Sequence, residues 1–147
     1  MLSNTCKYGI RAVIYLAVNQ GDGSMIGIKK IAKDLDLPSP FLGKILQDLV
    51  KKKLLNSTKG PNGGFSLAKK PEDVSLYDVV SAIDGTDVFE TCLIGLKVCD
   101  GNHSKEANCP FYSRSEIVKK SMYKAFEEQT IKHFVDGLKS PDDIMKF

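Results

Sequence analysis

The sequence is poor in the groups that most catalytic sites use. It contains two histidines, His103 and His133, and shows neither a nucleophile–base pair nor a phosphate-binding loop. Long apolar runs are also missing, since none approaches the ~20 residues of a membrane span. Lys7 and Arg11 interrupt the first apolar stretch, so no secretion signal is predicted. These absences argue against an enzyme and against a membrane protein, and they predict a cytoplasmic protein.

The charges are divided unequally along the chain. The net charge is +3, but residues 1–70 hold 12 Lys and Arg against 4 Asp and Glu, whereas residues 71–147 hold 9 against 14. A basic half joined to an acidic half suggests a polyanionic partner for the first half alone. Solvated lysines on ordinary helices are the alternative explanation.

Apolar periodicity predicts three helices in the first third of the chain. They run from Thr5 to Asn19, from Ile28 to Leu35, and from Ser39 as N-cap, with Pro40 at the first helical position, to about Lys52. Two strand candidates follow, Leu54–Leu55 and Phe65–Leu67, with a glycine-rich tip between them. Helix, turn, helix and hairpin is the order of a winged helix-turn-helix.

The rest of the chain is predicted to add one capped helix, a loop and a long helix. Ser75 is the N-cap of the first of these, with Asp78 as capping-box partner and Gly85 as the stop. The predicted units are a DNA-binding domain over 1–85, a loop over 86–112, a helix over 113–138 and a frayed tail over 139–147. The fold class is therefore mainly α with a small β-wing.

The long helix carries apolar residues across a wide arc. Such an arc needs more than one packing partner, which favours a dimer contact between two copies of the chain. The residues predicted to form that contact are Val118, Met122, Ala125 and Phe126.

The candidate DNA contacts lie in two places. The first is the start of the third helix, because the N-terminal residues of a recognition helix face base edges: Ser39, Pro40, Phe41 and Lys44. The second is the hairpin tip, where a cation on a narrow glycine turn can enter the minor groove: Thr58, Lys59, Gly60, Asn62 and Gly63. A plain turn with a solvated lysine is the alternative for the tip, and core packing is the alternative for Phe41.

Three cysteines fall in one loop, with the spacing Cys92-x6-Cys99-x9-Cys109. Thiolates bind soft or borderline metals, so an iron–sulfur cluster or zinc is indicated, and reactive or inert thiols are the alternatives. Both metal centres prefer four ligands, and His103 is the local candidate for the fourth. Cys6, Glu90, Asp100 or a residue of a partner chain are further candidates for that position.

Taken together, these motifs resemble the Rrf2 family of winged-helix regulators. The resemblance covers about residues 1–138. It rests on these motifs: Tyr8-Gly9-Ile10-Arg11-Ala12, Ile28-x-x-Ile31-Ala32, Phe41-Leu42-x-Lys44-Ile45-Leu46, Lys59-Gly60-Pro61-x-Gly63-Gly64-Phe65-x-Leu67, Val80-x-x-Ile83-Asp84-Gly85 and the three-cysteine loop that closes in Cys109-Pro110.

The resemblance implies a homodimeric repressor whose long C-terminal helices cross and whose two copies bind a near-palindromic operator in double-stranded DNA. It also implies a [2Fe–2S] or [4Fe–4S] cluster on the three cysteines, easily lost in air, that controls DNA affinity. The fourth ligands known in the family are not retained, because Lys7, Arg11 and Tyr112 occupy their positions. Thiol-redox or zinc sensing on the same scaffold, or a cluster-carrying protein-interaction module, are the alternative functions.

Overall fold

The computed structural model describes residues 1–95 and 110–146. Its helices are α1 (Asn4–Asn19), α2 (Ile28–Asp34), α3 (Ser39–Lys51), α4 (Leu76–Ile83), α5 (Asp87–Glu90), α6 (Tyr112–Glu128) and α7 (Ile131–Gly137). Strands β1 (Leu55–Thr58) and β2 (Gly64–Leu67) follow α3, and 3₁₀ helices span Pro71–Asp73 and Pro141–Lys146. Among these residues no helix has the length and apolarity to cross a membrane. The predicted fold class, mainly helical with one small hairpin, is confirmed.

Helix α1 is the central element of the core. It contacts α3, α4, α7, β2 and the C-terminal 3₁₀ helix. The residues of its middle are buried on every side: Ala12, Val13, Ile14, Tyr15 and Leu16. A helix that is apolar all round has to be surrounded by other elements, which explains this central place. Ser3 caps its start by accepting a hydrogen bond from the Cys6 N–H.

Helices α2 and α3 form the predicted helix-turn-helix. Asp36, with φ 52°, takes the left-handed conformation just after α2, and the chain then turns into α3. The prediction of Ser39 as N-cap is wrong by one residue, because Pro38 holds the cap position with extended backbone angles and no side-chain cap bond forms. The apolar face of α3 is fully packed through Leu42, Ile45, Leu46 and Leu49.

Strands β1 and β2 form the predicted wing. They are antiparallel, with Leu55 opposite Leu67 and Thr58 opposite Gly64. The loop between α1 and α2 runs along the other side of β2, where Ile26 forms a bridge with Phe65. Glycine is required at position 64, since φ is +150° and a Cβ atom would lie 2.2 Å from the Ile26 carbonyl oxygen. The wing is therefore held against the helix-turn-helix by backbone.

The capping box predicted for α4 is present. The Ser75 hydroxyl accepts from the Asp78 N–H at 3.1 Å, and the Asp78 carboxylate accepts from the Ser75 N–H at 2.9 Å. Gly85 ends the helix with φ 81°. Both ends of α4 were predictable because each depends on residues within one helical turn.

The single helix predicted over 113–138 is wrong, because the chain forms two helices with a break between them. Thr130 is extended and pairs with Ser75 in an antiparallel bridge. The Gln129 carbonyl accepts from the Leu76 N–H at 2.7 Å, and the Ile131 N–H donates to the Val74 carbonyl at 2.8 Å. Two hydrogen bonds to a distant segment thus take the place of intrahelical hydrogen bonds at Gln129 and Ile131, and α7 begins as a separate helix.

The frayed tail predicted after residue 138 is also wrong. Ile144 is 1% exposed and belongs to the main core, against α1. The Asp143 carboxylate accepts from the backbone N–H groups of Lys139 and Ser140, at 3.1 and 2.9 Å. The C-terminal 3₁₀ helix is therefore part of the folded domain.

Candidate nucleic-acid interface and cysteine region

The start of α3 presents the predicted contact residues beside one another. Pro40, Phe41 and Lys44 are exposed and Ser39 is half-buried, while the opposite side of the helix is in the core. Phe41 is 38% exposed, so core packing does not account for it fully. One edge of its ring contacts Tyr8 of α1, with 5.7 Å between ring centroids. This contact fixes the ring while leaving part of it accessible to a ligand.

The wing tip presents the second group of predicted contacts. Thr58, Lys59, Gly60 and Asn62 are exposed, and Gly63 is half-buried. The Gly63 N–H closes the turn by donating to the Gly60 carbonyl at 3.0 Å. The lysine therefore projects from a tight backbone turn, as the sequence predicts for a group that enters a narrow groove.

A groove of about 520 Å³ separates the wing from the helices. Its walls include the wing residues Ser57, Thr58 and Lys59 on one side, and Lys29 and Gln47 on the other. We call the start of α3, the wing tip and this groove the DNA face. Lys29 and Gln47 were not predicted as contacts, because only the fold brings them opposite the wing.

The lysines around the DNA face differ in their pairing. Lys30 and Lys51 form ion pairs within their own helices, with Asp34 at 3.0 Å and Asp48 at 3.1 Å. In the part of the chain that the structure describes, Lys29, Lys44 and Lys59 have no such acidic partner. Exposed lysines without a carboxylate nearby leave positive potential for a polyanion.

Helix α1 adds a cation that sequence reasoning did not assign to this face. The Arg11 guanidinium lies over the Tyr8 ring at 5.8 Å from its centroid, and that ring in turn contacts Phe41. The motif Tyr8–Ala12 is thus connected to the start of α3. This contact was not predicted, because the Tyr8–Ala12 motif and the start of α3 are far apart in the sequence.

The cysteine region consists of α5, residues 91–95 and α6. Cys92 is half-buried and lies one residue beyond Thr91, the C-cap residue of α5, which makes it the second residue after the helix. Cys99, His103 and Cys109, the other predicted ligands, lie outside the described residues. Within 1–95 and 110–146, no three His, Cys, Asp or Glu side chains gather into a metal site.

Cys6, a candidate for the fourth ligand, has the properties of an inert core thiol. It is fully buried beside Val80 and Phe89. Burial, followed by the charge and hydrogen bond of Asp84, raises the pKa of the Cys6 thiol to about 12. Because metals bind the thiolate form, this environment opposes ligation by Cys6.

Aromatic rings and one buried lysine hold the cysteine region together. Phe89 of α5 contacts Tyr77, Tyr123 and Phe126 with centroids 5.1 to 6.0 Å apart. Lys119 is 6% exposed, pairs with Glu116 at 2.6 Å and donates to the Glu90 carbonyl at 3.4 Å. The hydrogen bond from Lys119 is the main cause that lowers the pKa of Glu116. The chain just before Cys92 is thereby fixed to α6.

The predicted dimer residues divide into two groups. Met122 and Phe126 are half-buried and pack against the chain's own cluster around Phe89. Val118 and Ala125 are exposed. Ile117, which was not predicted, is 66% exposed beside Val118. The exposed residues Ile117, Val118 and Ala125 are therefore available to another surface, whereas Met122 and Phe126 already pack within the chain.

Comparison with known proteins identifies the family. The family model described as "Rrf2: Iron-dependent Transcriptional regulator" matches residues 2–137. The chain belongs to the Rrf2 family. The resemblance inferred from the motifs is thus confirmed, and this Rrf2 protein is a DNA-binding transcriptional regulator and not an enzyme.

Relatives and solved structures agree with that placement. The chain is 31% identical over 136 residues to a protein of Aquifex aeolicus (strain VF5) named as an HTH-type transcriptional regulator, covering 92% of each. T. potens IscR superposes with a TM-score of 0.68 at 27% identity, covering 93% of this chain and 87% of IscR. CymR, the global cysteine regulator of B. subtilis, superposes with a TM-score of 0.75 at 20% identity, covering 94% and 98%. The likeness to CymR shows the fold alone.

Proposed function

We propose that this Rrf2 protein is a cytoplasmic homodimeric repressor of a near-palindromic operator, and that an iron–sulfur cluster controls its affinity. The observation that carries the DNA-binding part is the DNA face. It presents exposed Lys44 at the start of α3. It also places Lys59 of the wing on one side of a groove whose other side includes Lys29 and Gln47. Such a face fits a duplex whose major groove receives α3 and whose minor groove receives the wing.

The contacts divide by chemistry. Lys44 is long enough to reach guanine acceptors or a phosphate, and the exposed part of Phe41 suits a thymine methyl group. Lys59 on its tight turn suits a narrow minor groove, where the negative potential is greatest. The remaining predicted contacts have two roles. The backbone at the two places is shaped by Pro40, Gly60 and Gly63, and polar side chains are added by Ser39, Thr58 and Asn62.

The cluster part rests on the donor chemistry of the cysteine region. Thiolates are the usual ligands of iron–sulfur clusters, and half-buried Cys92 is accessible where fully buried Cys6 is not. Cys92, Cys99 and Cys109 would hold the cluster, with His103 as fourth ligand. A bound cluster would supply an iron–sulfur centre that oxidation can destroy and that can also be lost from the protein. The chain's own part is to fix the residues before Cys92 through Lys119 and Phe89.

The dimer part rests on the exposed apolar residues of α6. Ile117 and Val118 face outward, and Leu93 and Ile94 beside Cys92 are exposed as well. Apolar residues of this number on a small protein favour a partner surface. A second copy placed there would set the spacing between two DNA faces, and the residues next to Cys92 would lie close to that contact.

The test is an anaerobic preparation with an absorption spectrum and an iron count, in wild type and two variants. We expect iron and cluster absorption in wild type and in Cys6→Ala, and neither in Cys92→Ala. A colourless wild-type protein that takes up no iron on reconstitution would rule out the cluster. Zinc in the same sample, or reactive thiols without metal, would favour the thiol or zinc sensor.

A further inference from the structure

The outer edge of β2 is closed by two residues of the loop between α1 and α2. Strand β1 occupies one edge of β2. On the other edge, the Phe65 N–H donates to the Ile26 carbonyl at 2.9 Å, and the Ile26 N–H donates to the Phe65 carbonyl at the same distance. Two residues further along the strand, the Leu67 N–H donates to the side-chain carbonyl oxygen Oε1 of Gln20 at 2.7 Å. A side chain thus takes the place of a third strand.

Gln20 is itself held firmly by backbone hydrogen bonds. Its N–H closes the end of α1 by donating to the Leu16 carbonyl at 2.9 Å. Its own carbonyl accepts from the Gly23 and Ser24 N–H groups at 3.2 and 3.1 Å, and from the Ser24 hydroxyl at 2.9 Å. The backbone of Gln20 is therefore fixed at the end of α1, and its side-chain amide extends from there.

The two strands anchor the wing unequally, because three of the four residues of β2 are buried and most of β1 is exposed. In β1 the first residue, Leu55, is buried and the next three are exposed. A two-stranded hairpin is marginal by itself in water. The side chains of Phe65 and Leu67 hold the base of the wing in the core, but hydrophobic contacts are non-directional. The hydrogen bonds along the outer edge of β2 are directional, so they fix the orientation of the wing.

We propose that Gln20 is a positioning residue for DNA binding, which sets the angle of the wing and hence the place of Lys59 relative to α3. This inference rests on the role of the wing in the proposed function. Gln20 itself lies at the base of the wing, away from the tip, and acts through the Leu67 N–H.

The test compares Gln20→Met, which keeps the length of the side chain and removes the acceptor, with Gln20→Glu, which keeps an acceptor. Hydrogen exchange at the Leu67 amide should be faster in Gln20→Met and close to wild type in Gln20→Glu. Operator affinity should fall roughly fivefold in Gln20→Met, as expected for one neutral hydrogen bond, and Gln20→Glu should recover most of it.

A double variant with Lys59→Ala shows whether Gln20 acts through the wing. If it does, Gln20→Met should change affinity by less than about twofold once Lys59 is gone, since contacting or coupled residues are not additive. Full additivity, or wild-type affinity in Gln20→Met while Lys59→Ala is weak, would overturn the inference and leave the proposed function standing. Wild-type affinity in Lys59→Ala would overturn the wing contact of the proposed function, and the inference with it.

Discussion

The DNA face and the cysteine region are built in opposite ways. On the DNA face, exposed polar residues stand on elements whose other sides are in the main core, as Lys44 stands on the helix that buries Leu46. In the cysteine region, the inner contacts form a separate cluster around Phe89, and the apolar residues Ile94 and Ile117 are 71% and 66% exposed. The DNA face is therefore formed by the residues of a single chain.

Under the proposed function, this difference separates the part of the molecule that binds DNA from the part that would be regulated. A surface whose geometry is set by the main core has the same shape in every copy, so its spacing from a second copy is the property left to vary. The cysteine region, with its smaller cluster and outward apolar residues, is the part that would meet that second copy. A change at Cys92 would then act on the spacing of two DNA faces and leave each face intact.

The largest expected difference between the two regions is their response to salt. Operator affinity should fall by roughly 10³-fold between about 50 and 200 mM salt if about six phosphates are contacted, because counterions are released on binding. Dimer dissociation should change little over the same range, since apolar contacts are not screened. Titrations of labelled operator and sedimentation of the free protein would measure both. A flat salt response of operator binding would favour a protein-interaction module.

Gly64→Ala should damage the DNA face more than any change to a single exposed side chain. The new Cβ atom would meet the Ile26 carbonyl oxygen, which is backbone and cannot rotate away, so we expect a loss of about 3 kcal/mol in unfolding free energy and a displaced wing. Gly137→Ala is the matched control, since nothing lies within 4 Å of its Cβ position. Equal stability of the two variants in urea would contradict the close approach at Ile26.

Lys119→Met should weaken the cysteine region and spare the DNA face. The substitution removes the buried ammonium group that holds Glu116 and the Glu90 carbonyl, and we expect a loss of about 1–2 kcal/mol in unfolding free energy. Lys120→Met is the control, because that side chain is 81% exposed and 4.0 Å from Glu116; its effect should stay below about 0.5 kcal/mol. Similar losses in both variants would mean that the buried pair contributes nothing of its own.

The smallest effect is expected where α1 meets α2. The Tyr15 hydroxyl donates to the Asp34 carboxylate at 2.6 Å, and this bond, followed by Lys30, lowers the pKa of Asp34. A carboxyl whose pKa is lower in the folded state stabilises the fold at neutral pH, and this contribution is lost as the pH falls through its folded pKa. Tyr15→Phe should therefore be less stable than wild type at pH 7, and the difference should shrink at pH 3. A difference independent of pH would assign the effect to packing alone.

The parts of the fold that depend on neighbouring residues were predictable from the sequence. The cap of α4 depends on Ser75 and Asp78, three positions apart, and the apolar stripe of α3 repeats within each turn. The DNA contacts predicted at the start of α3 and at the wing tip rest on the same kind of local signal. The start of α3 was missed by one residue, since Ser39 and Pro38 are both compatible with a helix beginning there.

The parts that depend on distant segments were not predictable. The break after α6 exists because Thr130 pairs with Ser75, and the C-terminal 3₁₀ helix is ordered by the burial of Ile144 against α1. Neither pairing leaves a periodic signal in the sequence. The hydrogen bond between Gln20 and Leu67 leaves no such signal either, because the two residues lie 47 positions apart.

The central claim, that Cys92 and its cluster control the DNA face, is tested most directly by operator binding on one anaerobic sample before and after removal of iron. Fluorescence anisotropy with a fixed operator would give both dissociation constants, and Cys92→Ala would be measured beside them. We expect the two constants to differ by roughly tenfold or more, a coupling of ~1.4 kcal/mol, and Cys92→Ala to match the iron-free protein. Equal constants in all three samples would contradict the claim.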